Sequence, residues 1–188
     1  MTAVKIVALG GTYREGSSTE RCLQAALKSA RALGAETVLL GASALDLPLY
    51  RPDAPERSPA ALALIEAVKT ADGLIVATPA YHGGVSGMVK NALDYIEDLS
   101  KDARPYLHGR AVGCIATGAG WQATAGTLGS LREIVHALRG WPTPLGVAVN
   151  TSEAKFDDDY VCSMENIGVQ LRVMAEQVVE FSRRWVPR

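Results

Sequence analysis

Cysteine is scarce in this chain: Cys22, Cys114 and Cys162 are the only three in 188 residues, and none falls in a CxxC. Three cannot all pair internally, so a disulfide framework is excluded and a reducing compartment is expected. The sequence has no G-x-S-x-G elbow, no H-E-x-x-H pair and no Cys–His spacing that would mark a nucleophile. Its histidines, His82, His108 and His136, show no metal-ligand spacing. Neither sign of charge dominates: 19 Lys plus Arg face 20 Asp plus Glu, a net charge of −1. That balance argues against a nucleic-acid binder and against an electron carrier that docks by charge. No stretch approaches the ~20 apolar residues that span a bilayer. The apolar start up to Leu9 is too short for a secretory signal and lacks its small-residue cleavage pattern. A cytoplasmic protein is therefore expected. Residues 1–188 are expected to form one domain, because 188 residues, 48% of them hydrophobic, suffice for a full core.

What the sequence does contain is an alternation of short apolar runs with segments of helical period. Residues 5–9 (KIVAL), 36–40, 73–78 (GLIVAT), 111–117 and 145–149 read as strands, with Pro79 ending the third. Between them, Leu23, Ala26, Leu27 and Ala30 line a helix face that follows a capping-box pair, Ser17 and Glu20. Pro59 suits the start of a second helix, after a loop with Pro48, Pro52 and Pro55. Further helices run from about Val85 to Leu99, through Leu128–Leu138, and from Ile167 to Phe181. The run Asp157-Asp158-Asp159 reads as a solvated turn. Five strands, each followed by a helix, imply an α/β three-layer sandwich: a five-stranded parallel sheet in the flavodoxin-like order 2-1-3-4-5, helices on both faces.

In such sheets ligands sit beyond the carboxyl ends of the strands, and three loops there are rich in glycine and hydroxyl groups. The first, residues 10–19 (GGTYREGSST), combines Thr12, Ser17, Ser18, Thr19 and Arg14 with a helix N-terminus, which suits a terminal phosphate. It has P-loop spacing, but Ser17 stands where the lysine should be, so an NTPase is not expected. The second, residues 78–87 (TPAYHGGVSG), offers glycine for close approach and Tyr81 as a flat partner for a planar ring. The third, residues 117–123 (TGAGWQA), contains GxGxxA, but the next strand ends Val149-Asn150 without the carboxylate of a dinucleotide fingerprint. A phosphate-and-ring pocket without an evident nucleophile fits a cofactor that carries the chemistry itself.

Four ordered motifs carry a resemblance. They are Gly11-Thr12-Tyr13-Arg14-Glu15-Gly16-Ser17, Asp46-Leu47-Pro48-Leu49-Tyr50, Thr78-Pro79-Ala80-Tyr81-His82-Gly83 and Val89-Lys90-Asn91-Ala92-Leu93-Asp94. Over about Val4 to Val149 the chain resembles the NAD(P)H-dependent FMN reductase family. The resemblance implies FMN and NADPH or NADH as cofactors, with hydride passing from the nicotinamide to FMN and electrons, or reduced flavin, going on to a second acceptor. It implies that Thr12, Arg14, Ser17 and Thr19 hold the FMN phosphate, with Ser18 contributing backbone. Pro79, Ala80, Tyr81 and His82 would run beside the isoalloxazine, Gly83 would let it lie close, and Thr117 and Gly118 would line its far edge. Ala80 and His82 depart from the Pro-Glu-Tyr-Asn common in the family. No catalytic side chain and no metal are implied. Relatives form homodimers or homotetramers, which makes the Tyr50 loop and residues 90–99 candidate interface elements. A flavin-dependent monooxygenase receiving reduced FMN is an implied partner. Two other readings stay open: an FMN-containing quinone, azo or metal-oxyanion reductase, and a non-enzymatic flavodoxin-type carrier. Arg51, Arg104 and Arg110 are candidates for the 2′-phosphate of NADPH.

Overall fold

The computed structural model describes residues 3–54 and 56–185. Met1 and Thr2 of the N-terminal run, and Pro55 of the proline-rich loop, lie outside the described residues. Along the chain come β1 (Lys5–Gly10), α1 (Ser18–Ala32), β2 (Glu36–Leu40), α2 (Pro59–Thr70), β3 (Gly73–Tyr81) and β4 (Gly84–Val85). There follow α3 (Gly87–Asp94), β5 (Ala111–Gly118), α4 (Trp121–Ala137), β6 (Trp141–Pro142), β7 (Val147–Asn150) and α5 (Glu165–Arg184). Short 3-10 segments occupy Ser43–Leu45 and Tyr95–Leu99.

The parallel ribs lie in the order β2-β1-β3-β5, with β6 and β7 together forming the outer rib beside β5. The expected α/β flavodoxin-like sandwich is therefore present, but its sheet counts seven strands rather than five. One extra strand arises because β3 does not end at Pro79. It continues to Tyr81, where Pro79 still pairs with Thr117, and turns back into the antiparallel β4. The other arises because the outer rib is broken. Trp141 and Pro142 pair with Ala111 and Val112, and Val147 resumes opposite Ile115, so residues 143–146 bulge past two residues of β5. Pro144 has no N–H for the ladder, and the Thr143 hydroxyl donates to the Leu145 carbonyl across the bulge at 2.8 Å.

Strands β1, β3 and β5 read as unbroken apolar runs because both of their faces are covered. On one face Leu23, Ala26 and Leu27 of α1 pack with Leu171, Met174 and Val178 of α5. On the other, α2, α3, the 95–99 segment and α4 bury Leu64, Leu93, Ile96 and Leu131. The helix starts obey their sequence signals. Ser17 accepts from the Glu20 amide at 3.3 Å and Ser58 from the Ala61 amide at 3.2 Å, with Pro59 in the first turn of α2. Glu20 reaches back one residue further than a capping box requires, accepting from the Gly16 N–H at 3.2 Å.

Among the described residues of the proline-rich loop there is no helix or strand between Leu45 and Pro59, and side chains tie it down. Asn91 Oδ1 accepts from the Tyr50 N–H at 2.8 Å, and Tyr95 donates to the Pro48 carbonyl at 3.0 Å. The Arg57 guanidinium makes a forked contact with Asp98, at 2.6 and 2.9 Å, and lies over the Tyr50 ring with 5.0 Å to its centroid. Hydrogen bonds from Arg57 hold the Asp98 carboxyl below the usual carboxylate range. A carboxyl with a depressed native pKa contributes stability that is present above its unfolded pKa and lost as pH falls through the native one. Asp98→Asn should therefore lower stability at neutral pH by about 1 kcal/mol after solvent screening. The difference between D98N and wild type in urea melts should vanish in strong acid, and a constant difference down to that range would contradict the assignment.

Candidate functional site

The carboxyl ends of β1, β3, β5 and β7 open on one cavity of about 390 Å³, within the size range of ordinary ligand pockets. Its first wall begins at Gly10, whose φ is +142° and where an added Cβ would meet the Ala77 carbonyl oxygen at 2.0 Å. Only glycine lets β1 leave the sheet this close to β3. The loop then folds on itself: the Thr12 hydroxyl accepts from the Arg14 N–H at 3.1 Å and contacts the Arg14 carbonyl at 3.2 Å. Ser17 is buried at the cap of α1, and the first amides of that helix have no intrahelical acceptor. Thr19 is buried too, and its hydroxyl lies 2.6 Å from that of Thr117 at the end of β5. Among the described residues, the Ser18 hydroxyl and the Arg14 guanidinium have no hydrogen-bond partner, and both line the cavity.

The second wall is the β3–β4 hairpin. Its two-residue loop, His82 and Gly83, has φ of 51° and 78°, the paired positive angles of a type I′ turn. The Thr78 hydroxyl accepts from the Ser86 N–H at 3.0 Å and so fixes the return of the hairpin into α3, which Ser86 caps. The third wall is Thr117, Gly118 and Ala119. A Cβ on Gly118 would approach Thr124 Cγ2 to 3.1 Å and Ala80 Cβ to 3.3 Å, so glycine keeps this wall flat. The loop after β7 braces it. Thr151 donates to the Gly118 carbonyl at 2.8 Å and Ser152 to the Ala119 carbonyl at 3.1 Å. Trp121 donates to Glu153 at 3.2 Å, which also accepts from Asn150.

Eleven of the twelve residues expected at the site line this cavity; Gly83 does not, because it sits at the outer bend of the hairpin. Ala119 and Thr151 line it in addition. Thr151 carries no glycine or hydroxyl-run signal, and only the rule that ligands lie beyond strand ends, applied to β7, would have found it. A side cavity of about 190 Å³ shares Thr12, Pro79 and Tyr81 with the main one and adds Tyr13, Ser86 and Met88. The arginines offered for a 2′-phosphate lie elsewhere or are paired. Arg110 is fully buried before the start of β5, at the opposite end of the sheet, and donates to the carbonyls of Lys69, Ala71 and Tyr106. Arg104 binds the Ala71 and Gly109 carbonyls, and Arg51 pairs with Asp53. Burial pushes the Cys22 and Cys114 thiols up, the latter to about 12, so neither is a nucleophile. Among the described residues no group of three His, Cys, Asp or Glu side chains could hold a metal ion, and no helix is long and apolar enough to cross a membrane.

One end of the cavity thus presents short hydroxyls, free amides and a guanidinium, and the other presents flat backbone between Ala80 and Gly118. That donor set fits a phosphate ester joined to a planar ring. A model of the NADPH-dependent FMN reductase family matches residues 4–154. The chain belongs to that family. An FMN-dependent NADPH-azoreductase of Staphylococcus haemolyticus is 35% identical over 118 residues, 62% of this chain and 59% of that protein. The chain thus matches about three fifths of the length of such relatives. Two solved structures share the fold at low identity. The flavoenzyme NAD(P)H:(acceptor) oxidoreductase of Paracoccus denitrificans has a TM-score of 0.77 at 20% identity, covering 97% of this chain and 99% of that one. The apo form of an NADH:FMN oxidoreductase has a TM-score of 0.73 at 23% identity, covering 99% and 92%. Every residue lining the cavity falls inside the segment that matches the FMN reductase family.

Severing the Thr19–Thr117 pair should be costly. Thr19→Val and Thr117→Val should each destabilise by about 1–3 kcal/mol, because the other hydroxyl is left buried without a partner. The double substitution should cost clearly less than the sum, and strict additivity in a thermal-melt cycle would refute the coupling.

Proposed function

We propose that this cavity holds FMN and that the chain is an NAD(P)H-dependent FMN reductase. The observation that carries the reading is the set of donors without partners among the described residues in the first loop and first turn of α1, namely the Arg14 guanidinium, the Ser18 hydroxyl and the Ser18 and Thr19 amides, beside a flat wall of backbone. Arg14, Ser18 and those amides would hold the phosphate, with the N-terminal end of the helix dipole adding to the attraction. Thr12 and Ser17 would act through shape, because their hydroxyls already brace the loop and cap the helix. Thr19 and Thr117 form the floor, and Pro79, Ala80, Tyr81, His82 and Gly118 would border the ring. When bound, FMN would supply the redox chemistry, as hydride acceptor from NADPH or NADH and electron donor to an acceptor. The protein's share is positioning and exclusion of water from the buried floor.

The side cavity favours a second reading, in which Tyr13 and Tyr81 would admit a quinone, azo compound or metal oxyanion as the acceptor for tightly held FMN. The azoreductase name of the Staphylococcus relative supports it. In either reading residues 1–188 act as one FMN-binding domain in the cytoplasm. The exposed Leu49 in the Tyr50 loop, together with residues 90–99, supplies a homodimer or homotetramer contact. A flavin-dependent monooxygenase is the partner if reduced FMN leaves.

Titration with FMN should raise the melting temperature, and anaerobic NADPH should bleach the flavin absorbance. Arg14→Ala should weaken FMN binding roughly 10- to 100-fold, the worth of one charge-assisted contact, without lowering the stability of the FMN-free protein. An unchanged melting temperature and spectrum on adding FMN would end the proposal.

A further inference from the structure

The first loop of the cavity turns on its most permissive residue. Gly16 has a φ of +63°, and an added Cβ would meet nothing within 4 Å, so its own packing does not fix the two peptides that flank it. Consecutive side chains of α1 do so instead. The Glu20 carboxylate accepts from the Gly16 N–H at 3.2 Å, and Arg21 Nε donates to the Gly16 carbonyl at 3.2 Å. Each of these side chains is moored to another loop. The Glu20 carboxylate lies beside Gly41, just after β2. The far end of the Arg21 guanidinium donates to the carbonyls of Phe156 at 3.3 Å and Asp157 at 2.8 Å, beyond β7. The acidic run 157–159 is therefore more than a solvated turn, and it has a shape of its own. Asp157 Oδ1 accepts from the Asp159 and Val161 N–H groups, and the Asp157 N–H donates to the Val161 carbonyl. Its carbonyls rather than its carboxylates hold Arg21: the Arg21–Asp158 ion pair is 3.6 Å long and Asp158 is fully exposed, so that pair adds little.

A planar trans peptide sets its C=O and N–H in opposite directions. The Gly16 carbonyl faces Arg21 and the 156–157 turn, which is no part of the cavity lining. The Ser17 N–H therefore faces the other way, on the side where Ser17 and Ser18 line the cavity. It has no partner among the described residues. From this we infer that Glu20 and Arg21 are positioning residues for phosphate recognition. Neither lines the cavity; gripping Gly16 from both sides, they hold the Ser17 N–H and the helix start behind it turned toward a phosphate monoester. The inference rests on the FMN reading. It has a corollary that charge alone does not: attraction by itself would make Arg21 favour a phosphate and Glu20 oppose it, whereas through Gly16 both favour it.

The test is the ratio of FMN affinity to riboflavin affinity, measured by flavin fluorescence titration, since riboflavin carries the same ring without the phosphate. A change in the stability of the fold moves both affinities together and leaves the ratio alone. Glu20→Ala and Arg21→Met should each lower the wild-type ratio by about tenfold, the scale of one hydrogen bond to a charged group. Glu20→Gln keeps an acceptor oxygen and should restore most of it. Arg21→Lys keeps the charge, but a single ammonium cannot span the Gly16 carbonyl and the 156–157 carbonyls together. It should therefore resemble Arg21→Met, and it replaces that variant should R21M not fold. Opposite shifts in E20A and R21M, a wild-type ratio in R21K, no recovery in E20Q, or equal losses of both flavins overturn the inference while leaving the FMN reading intact. A wild type that binds neither flavin overturns that reading, and the inference with it.

Discussion

Two hydroxyls 2.6 Å apart, those of Thr19 and Thr117, join the first turn of α1 to the end of β5 across 98 positions of sequence. A parallel sheet brings the carboxyl ends of its strands to one edge, but it does not by itself make their loops share a cavity. This pair does. Both side chains are 2% exposed, so neither can exchange its partner for water, and the separation between the helix start and the third wall is set. The glycines at positions 10 and 118 act in the same direction, since each allows an approach that a methyl group would block.

The site divides into a floor that is already satisfied and a rim that is not. Thr12, Ser17, Thr19, Thr78 and Thr117 spend their hydroxyls on the protein itself, on loop, cap and hairpin contacts. Tyr13 and Tyr81, by contrast, are 69% and 60% exposed, and His82 and Arg14 beside them lack partners among the described residues. A prepaid floor holds its shape whether or not a ligand is present. Differences between members of one fold family then fall to the rim, where side chains change without disturbing the fold.

Much of this was legible in the sequence, and the exceptions share a cause. Apolar runs with helical stretches between them gave away the parallel ribs and their order, because β1, β3 and β5 are buried on both faces and each helix on one. The cavity residues were legible because hydroxyls, glycines and an arginine gathered after strands are unusual outside ligand sites. What escaped notice depends on pairings that one segment cannot announce. Pro79 reads as a strand end, yet its strand continues because the neighbouring ladder and the hairpin hold it. Arg110 reads as a candidate for the 2′-phosphate of NADPH, whereas it is buried at the far end of the sheet, donating to the Lys69 and Ala71 carbonyls about 40 positions away and to that of nearby Tyr106. Thr151 has no local signature, and enters the cavity only because β7 lies beside β5.

The broken outer rib has a meaning for the molecule in solution. A sheet margin normally offers a row of free amides and carbonyls to any extended chain that drifts past, the route by which folded proteins begin to aggregate. Here the margin changes register halfway along, with Pro142 and Pro144 removing two donors around the break. A visiting strand could follow β6 or β7 for two to four residues and would then lose step. The chain keeps a strongly apolar, parallel core without leaving this flank open to its own kind.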